Sequence, residues 1–266
     1  MTRTELREVL REELVGCEFV LAMWEAGSHA FARADEYSDL DVGLLVCEGT
    51  LDEAWAAVDR ALEKVGGFDL RWHLPGHIFK GMTQRVYHPR LGGPWLALDI
   101  GIFQESAEDL YLDEPRHGRA EVMFDRTGRV KPPAWEEEKH RRTMREALQQ
   151  DVMRWRSHAT FFRKELARGR HVDAFGFYVG LALRPLLSVL GMLHRPDRFD
   201  YGFRYLKEDM PAEVVKRIER LCYVPSPAAL EERFAEADRM FHEAVAELAR
   251  RGITPMDPRG FDVSAP

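Results

Sequence analysis

The sequence predicts an α+β protein, in which a mixed β-sheet with flanking helices is followed by an α-helical bundle. Up to residue 130, short apolar runs rich in branched residues alternate with amphipathic segments, a pattern typical of strands and helices packed together. After Lys131-Pro132-Pro133 the apolar spacing becomes helical throughout. We therefore expect one domain over residues 1–130, a helical bundle over 134–252 and a poorly packed tail over 253–266.

Periodicity and turn residues predict the elements of the first domain in order. The predicted helices are 3–15, 28–36 and 51–65, and the predicted strands are 17–26, 40–47, 68–73, 78–88 and 95–103. The residues 124–129 are typical of a strand end followed by a turn. These elements suffice for a sheet covered by helices.

The second domain is predicted to contain long helices only. The expected helices are 135–169, 172–194, 211–222 and 227–251. Pro185 lies inside the second of these, where a proline removes a backbone hydrogen bond and kinks the helix.

Composition favours a packed, cytoplasmic protein. The chain has 266 residues, of which 45% are hydrophobic and 31% charged, so a sizeable core is expected. No run approaches a membrane span, and residues 1–6 lack an apolar signal region. The three cysteines, Cys17, Cys47 and Cys222, lack the spacing of a disulfide frame or zinc site and indicate reduced thiols. We expect no membrane partner.

The negative charge of the chain is concentrated in its first half. Residues 1–130 carry 14 Lys and Arg against 24 Asp and Glu, a net charge of −10. Such a domain is a poor partner for nucleic acid, because phosphate backbones require a basic footprint. It suits a cationic small-molecule acceptor, although an acidic surface without any steering role explains the charge equally well.

One motif indicates the chemistry of this protein. It consists of Gly27-Ser28, nine further residues and then Ser38-Asp39-Leu40-Asp41. Asp39 and Asp41 are two residues apart at the start of an apolar strand, so their side chains lie on one face. Two neighbouring carboxylates are costly without a cation, and Mg²⁺ prefers such oxygen ligands. Gly27 and Ser28 suit a tight turn that offers N–H groups and a hydroxyl to phosphate. Metal and phosphate together indicate nucleotidyl transfer.

With these motifs, residues 20–103 resemble the nucleotidyltransferase superfamily that includes DNA polymerase beta. The superfamily pattern is Gly-Ser, a short helix, Asp-x-Asp on a strand and a third carboxylate on a later strand. Asp99 is that third carboxylate, alone in the apolar run 95–103. The helical second domain makes the chain most similar to the antibiotic adenylyltransferases of the aminoglycoside or streptomycin type.

The resemblance implies Mg²⁺-dependent transfer of a nucleoside monophosphate, AMP from ATP, to a hydroxyl of a small acceptor. Asp39 and Asp41 would bind Mg²⁺, and Asp99 would bind a second metal ion or take the proton of the acceptor hydroxyl. Ser28 and Ser38 would contact phosphate. Ser28 could equally cap the short helix, and Ser38 could be a turn residue that bonds the local backbone.

Lys207 matches a lysine that the helical domains of this family present to the triphosphate. It lies just before Pro211, which starts the final pair of predicted helices. A flexible cation there would counter the charge of the leaving group. An ordinary solvated lysine is the alternative.

The remaining aromatic and histidine residues are predicted to be structural. Trp24, Trp72, Trp95 and Trp155 are expected in the core rather than as stacking platforms. His73, His77 and His88 lack metal-ligand spacing.

Two other functions remain open from the sequence. A protein could be the acceptor, as for minimal antitoxin-type nucleotidyltransferases, although these usually lack an attached helical bundle. The chain could also be a non-catalytic nucleotide-binding module, which a missing carboxylate would favour, whereas all three acids are present. Monomer and homodimer both fit.

Overall fold

The computed structural model describes residues 1–75 and 80–256. It divides into two compact units, Met1–Trp135 and the chain from Glu136 onward. The start of the predicted strand 78–88, His77 and most of the predicted tail 253–266 lie outside the described residues.

The first unit contains a six-stranded mixed sheet, which confirms the predicted α+β class. The strands are β1 (Val20–Glu25), β2 (Leu40–Val46), β3 (Phe68–His73), β4 (Met82–Pro89), β5 (Leu98–Gln104) and β6 (Glu121–Asp125). Their order is β3-β4-β5-β2-β1-β6. β2 and β5 pair in parallel, and the other neighbours are antiparallel.

Helices cover one face of this sheet. They are α1 (Arg3–Val15) and α3 (Leu51–Lys64), with the short α2 (Gly27–Ala30) and α4 (Glu114–His117) in the connections. A capping box between Thr2 and Glu5 starts α1. Leu6, Leu10 and Leu14 recur at helical spacing and are fully buried against the sheet. The opposite face carries a smaller core around Trp24 and Phe103.

The second unit is a helical bundle with one large core. Its helices are α5 (Glu137–Ala167), α6 (His171–Phe177), a π-helix (Tyr178–Leu183), α7 (Arg184–His194), a 3₁₀ turn (Pro196–Arg198), α8 (Leu206–Asp209), α9 (Ala212–Cys222) and α10 (Pro227–Arg250). Trp155 of α5 stacks on Phe241 of α10, with the ring centroids 4.1 Å apart.

The predicted disturbance at Pro185 takes the form of the π-helix that precedes it. Proline at 185 has no N–H, and its ring crowds the carbonyl one turn earlier, so the regular hydrogen-bond ladder cannot continue. The helix widens over Tyr178–Leu183 instead, which keeps the chain helical.

Two sequence predictions about apolar residues were wrong. The stretch His171–His194 is long and apolar enough to qualify as a candidate membrane span, although 56% of its apolar window is buried inside the unit. Trp72 and Trp95 are 52% and 66% exposed rather than in the core, whereas Trp24 and Trp155 are buried as predicted. Trp72 is on β3, the outermost strand of the sheet, whose side chains are exposed along most of its length.

Candidate functional site

The structure brings the three predicted acids to one end of two adjacent parallel strands. Asp41 is the second residue of β2 and Asp99 the second residue of β5, and the two are directly paired in register. Asp39 comes just before β2. Directly paired residues project from the same face of a sheet, so the carboxylates of Asp41 and Asp99 share a face. This face is opposite to α1 and α3, because Leu40 and Val42 pack into the core beneath those helices.

Gly27 holds the turn of the motif against Asp41. Its φ is +59°, a left-handed conformation that glycine adopts without strain. A Cβ at residue 27 would lie 1.8 Å from Oδ2 of Asp41, so no larger residue fits. The backbone N–H of Ala26 donates to the carbonyl of Asp41 at 3.0 Å. Gly27 and Asp41 therefore form one local unit.

Ser28 supplies a polar atom that the described protein atoms do not satisfy. Its Oγ is buried and has no hydrogen-bond partner among the described residues. A buried hydroxyl without a partner is costly, which fits a position completed by a ligand oxygen. Of the two roles that the sequence left open for Ser28, the helix cap is absent, since no side-chain hydrogen bond caps α2.

The segment after α2 is a loop, so the predicted helix 28–36 was too long. The side chains of Asp35 and Ser38 form hydrogen bonds with nearby backbone groups there, in place of the backbone hydrogen bonds of a helix. The Ser38 hydroxyl accepts from the N–H of Asp35 and donates to Oδ1 of Asp35, both at 2.9 Å. Ser38 thus has the turn role that the sequence left open, and a phosphate contact stays a prediction.

Asp39 and Asp99 each accept hydrogen bonds from neighbouring strands or loops. Oδ1 of Asp39 accepts from the backbone N–H of Ala97 at 3.3 Å. Both carboxylate oxygens of Asp99 accept from Nε2 of Gln84 on β4, at 2.7 and 2.8 Å. Oε1 of Gln84 is buried without a partner among the described residues. Asp99 is therefore oriented by an amide that sequence reasoning missed.

A charged cluster lies beside the Gly27 turn. Glu25, the last residue of β1, is fully buried and forms ion pairs with Arg3 and with Arg7, the latter at 3.2 Å. Arg3 also donates to the carbonyl of Asp39 at 3.2 Å. Burial, with the nearby charge of Arg7, lowers the pKa of Arg3. Through these contacts α1 is bound to Glu25, just before Gly27, and to Asp39, near the end of the motif.

Glu25, His29 and Glu121 place their ligand atoms within 4.8 Å of one another, close enough for a cation. Two guanidinium groups already balance Glu25, and His29 contacts the Glu121 carboxylate. We therefore interpret this group as a structural ion cluster. Asp41 and Asp99, paired in register on one sheet face, with Asp39 just before β2, offer the oxygen ligands that Mg²⁺ prefers.

Lys207 lies in the second unit, exposed on the one-turn helix α8. The loop before α8 is fixed by Arg195, which is 4% exposed. This guanidinium donates to the carbonyl of Gly202 at 2.6 Å and to that of Arg204, and it pairs with Asp209 at 3.7 Å. The segment that carries Lys207 is therefore held by a buried ion pair.

Comparison with solved structures found several likenesses, and two of them carry nucleotidyltransferase names. A structure of an aminoglycoside 6-adenyltransferase from Bacillus subtilis is similar over 97% of this chain and 94% of that chain, with 12% identity and a TM-score of 0.37. A nucleotidyltransferase-like protein from Exiguobacterium sibiricum is similar over 93% of this chain and 79% of that one, with 12% identity and a TM-score of 0.29. No family model and no curated protein matches the chain.

Proposed function

We propose that this protein is a nucleotidyltransferase that transfers a nucleoside monophosphate, AMP from ATP, to a hydroxyl of a small acceptor. The observation that supports it most is the pairing of Asp41 with Asp99 in register, with the Gly27 turn packed on the Asp41 carboxylate. This arrangement combines a cation site with a turn suited to phosphate. The acceptor we favour is an aminoglycoside or a related antibiotic, which would make the protein a cytoplasmic resistance enzyme.

The proposed reaction gives each of these residues a separate role. Asp39 and Asp41 would hold Mg²⁺, and Asp99 would hold a second ion or receive the proton of the attacking hydroxyl. Bound Mg²⁺ would supply positive charge to stabilise the oxygens that attack and leave the α-phosphate. Ser28 and the backbone of Gly27 would contact the phosphates, with Ser38 and Lys207 as further candidate contacts.

Gln84 would orient Asp99 toward this reaction. Its amide donates to the carboxylate that would meet the attacking hydroxyl. Phosphoryl-type transfer is accelerated mainly by positioning and by charge stabilisation. A carboxylate held in one orientation would therefore contribute to the rate.

The experiment that tests the proposal is thermal unfolding with ATP, GTP, CTP and UTP, each with Mg²⁺ and with chelator. A nucleotide at about 100 times its dissociation constant adds about 2.7 kcal/mol to the native state. We expect a Mg²⁺-dependent rise with ATP in the wild type and none in Asp41→Asn, whose fold should survive. Wild-type stabilisation in Asp41→Asn would contradict the assignment.

The two alternatives predict different results. A non-catalytic binding module would show the Mg²⁺-dependent rise but release no pyrophosphate with any acceptor. A protein-modifying enzyme would release pyrophosphate and add the mass of a nucleotide to a polypeptide rather than to an amino sugar.

A further inference from the structure

The sheet face that carries Asp41 and Asp99 continues outward over β4 and β3. Asp99 pairs with Val86 of β4, and Val86 pairs with Trp72 of β3. Residues that pair directly project from the same face of a sheet. Asp41, Asp99, Val86 and Trp72 therefore form one row across four adjacent strands.

The outer end of this row is an exposed apolar surface. Trp72 is 52% exposed, and Leu70, two residues earlier on the same side of β3, is 43% exposed. We name these two side chains the β3 shelf. Contiguous exposed apolar side chains rimmed by polar groups, rather than single ones, mark surfaces that bind ligands or partners.

The distance along the row suits one six-membered ring. Neighbouring strands are about 4.8 Å apart, so the backbone of Trp72 lies roughly 10 Å from that of Asp99. A ring stacked on Trp72 would therefore span β4 and bring a hydroxyl substituent to the Asp99 end. Gln84 of β4 lies beside this path and binds Asp99 directly.

The chemistry of the row selects a cationic, polyhydroxylated ring. The face of an indole attracts both C–H faces and ammonium groups. The other end of the row carries carboxylates only, and the four residues in register include no lysine or arginine. The net charge of −10 over residues 1–130 attracts cations from solution.

We propose that the β3 shelf is the acceptor subsite, in which Trp72 stacks on an amino-substituted sugar or cyclitol ring whose hydroxyl meets Asp99. This inference rests on the proposed nucleotidyl transfer and adds where the acceptor lies and which ring it presents. The Trp72 side chain contributes to the affinity for the acceptor and does not contribute to the affinity for the nucleotide.

The first test is an NMR titration of the indole N–H signals of the six tryptophans. The Trp72 signal is assigned by its loss in Trp72→Phe. The probes are neamine, streptomycin and glucosamine at millimolar concentrations, with methyl glucoside as the neutral ring. We expect the Trp72 signal to shift with the amino-substituted rings, more than with methyl glucoside, while Trp55, buried on α3 in the core of the opposite sheet face, stays unmoved. An unmoved Trp72 signal with all three amines would overturn the inference.

The second test separates a subsite from a subunit contact. Trp72→Ala should weaken binding of the shifting probe about 10-fold, the size of a cation–π contact, with Mg²⁺-ATP binding unchanged. The matched control is Tyr223→Ala, which removes an aromatic ring that is 75% exposed in the second unit. Wild-type dimers that Trp72→Ala converts to monomers, with no change in probe binding, would assign the shelf to a second copy of the chain instead.

Failure of this inference and failure of the proposed function are distinguishable. A protein that binds Mg²⁺-ATP while Trp72 stays unmoved keeps the transferase proposal and loses the subsite. A protein whose Trp72 signal shifts but which binds no nucleotide keeps the ring-binding subsite and loses the transferase proposal.

Discussion

Gly27 and Asp41 fit together without room for one additional carbon atom. A Cβ at residue 27 would lie 1.8 Å from Oδ2 and 2.3 Å from Cγ of Asp41, and the φ of Gly27 is +59°. The glycine of the motif therefore serves two needs at once, a left-handed turn and close contact with the carboxylate proposed to bind Mg²⁺.

Gly27→Ala is expected to abolish transfer. The new methyl group must displace the Asp41 carboxylate, and a misplacement of about 1 Å at a reacting site costs roughly 100-fold. The left-handed conformation adds about 1 kcal/mol of strain. Pyrophosphate release by the variant and the wild type would measure the loss. Gly128→Ala is the control, because its φ is +69° and its Cβ would meet open space. An equal loss in both variants would mean that backbone strain alone is responsible.

Gln84→Leu is expected to lower turnover by about 10- to 100-fold, the range seen when a group that orients a metal ligand is removed. The variant keeps the size of the side chain but loses both contacts to Asp99. Gln104→Leu on β5 is the matched control, because its amide oxygen accepts from the N–H of Gly49 at 2.8 Å instead. Turnover and the Mg²⁺ concentration at half-maximal activity are the measurements. Equal effects of the two substitutions would show that Gln84 does not orient Asp99 for transfer.

Glu25→Ala is expected to destabilise the first unit by about 3–5 kcal/mol, because two partly buried guanidinium groups lose their partner. Glu121→Ala removes a carboxylate that is 48% exposed, so about 1 kcal/mol or less is expected there. Urea unfolding of both variants measures the difference. Similar losses would show that Glu25 is not the centre of the cluster.

Much of the fold and the strand positions of the three acids could be predicted from the sequence, because those signals are local; the role of the acids stays a prediction. Alternating apolar residues and Asp-x-Asp spacing depend on strand geometry alone, and the register of Asp41 with Asp99 agrees with the predicted third acid. Gln84 and Arg3 could not be predicted, since their contacts depend on which strands and helices become neighbours. The exposure of Trp72 likewise depends on β3 being an edge strand.

Glu25 carried a signal that could have been used. It is an acid at the end of an apolar strand, two residues before the Gly27 turn, and a buried carboxylate needs cationic partners. The partners themselves, on α1, had no such signal. The length of α2 was overestimated because Asp35 and Ser38 bond the local backbone, a competition that helical periodicity does not register.

Asp151 of α5 gives a pH-dependent prediction for the helical unit. Its side chain lies in the core, 6% of the residue is exposed, and Oδ2 has no partner among the described residues. Burial raises the pKa of Asp151 from 3.8 to about 6, against the opposing effects of a hydrogen bond with Ser188 and the charge of Arg154.

The sign of the pH effect follows from this raised pKa. Below pH ~4 both the folded and the unfolded state hold the proton, so the group has no effect on stability. As the pH rises from about 4 to about 6, the unfolded state releases its proton first, and the free energy of unfolding falls. Above about pH 6 the loss is constant, at about 3 kcal/mol, since each pKa unit corresponds to ~1.4 kcal/mol.

Asp151→Asn removes the charge and keeps the shape. It should match the wild type near pH 4 and exceed its stability by up to about 3 kcal/mol at pH 8, because an amide has no proton to release. Urea unfolding at pH 4, 6 and 8, followed by helical circular dichroism, measures the difference. Glu146→Gln is the control, because that glutamate on the same helix is exposed and pairs with Arg142 at the surface. A constant difference between Asp151→Asn and wild type at all three pH values would mean that Asp151 does not titrate between the two states.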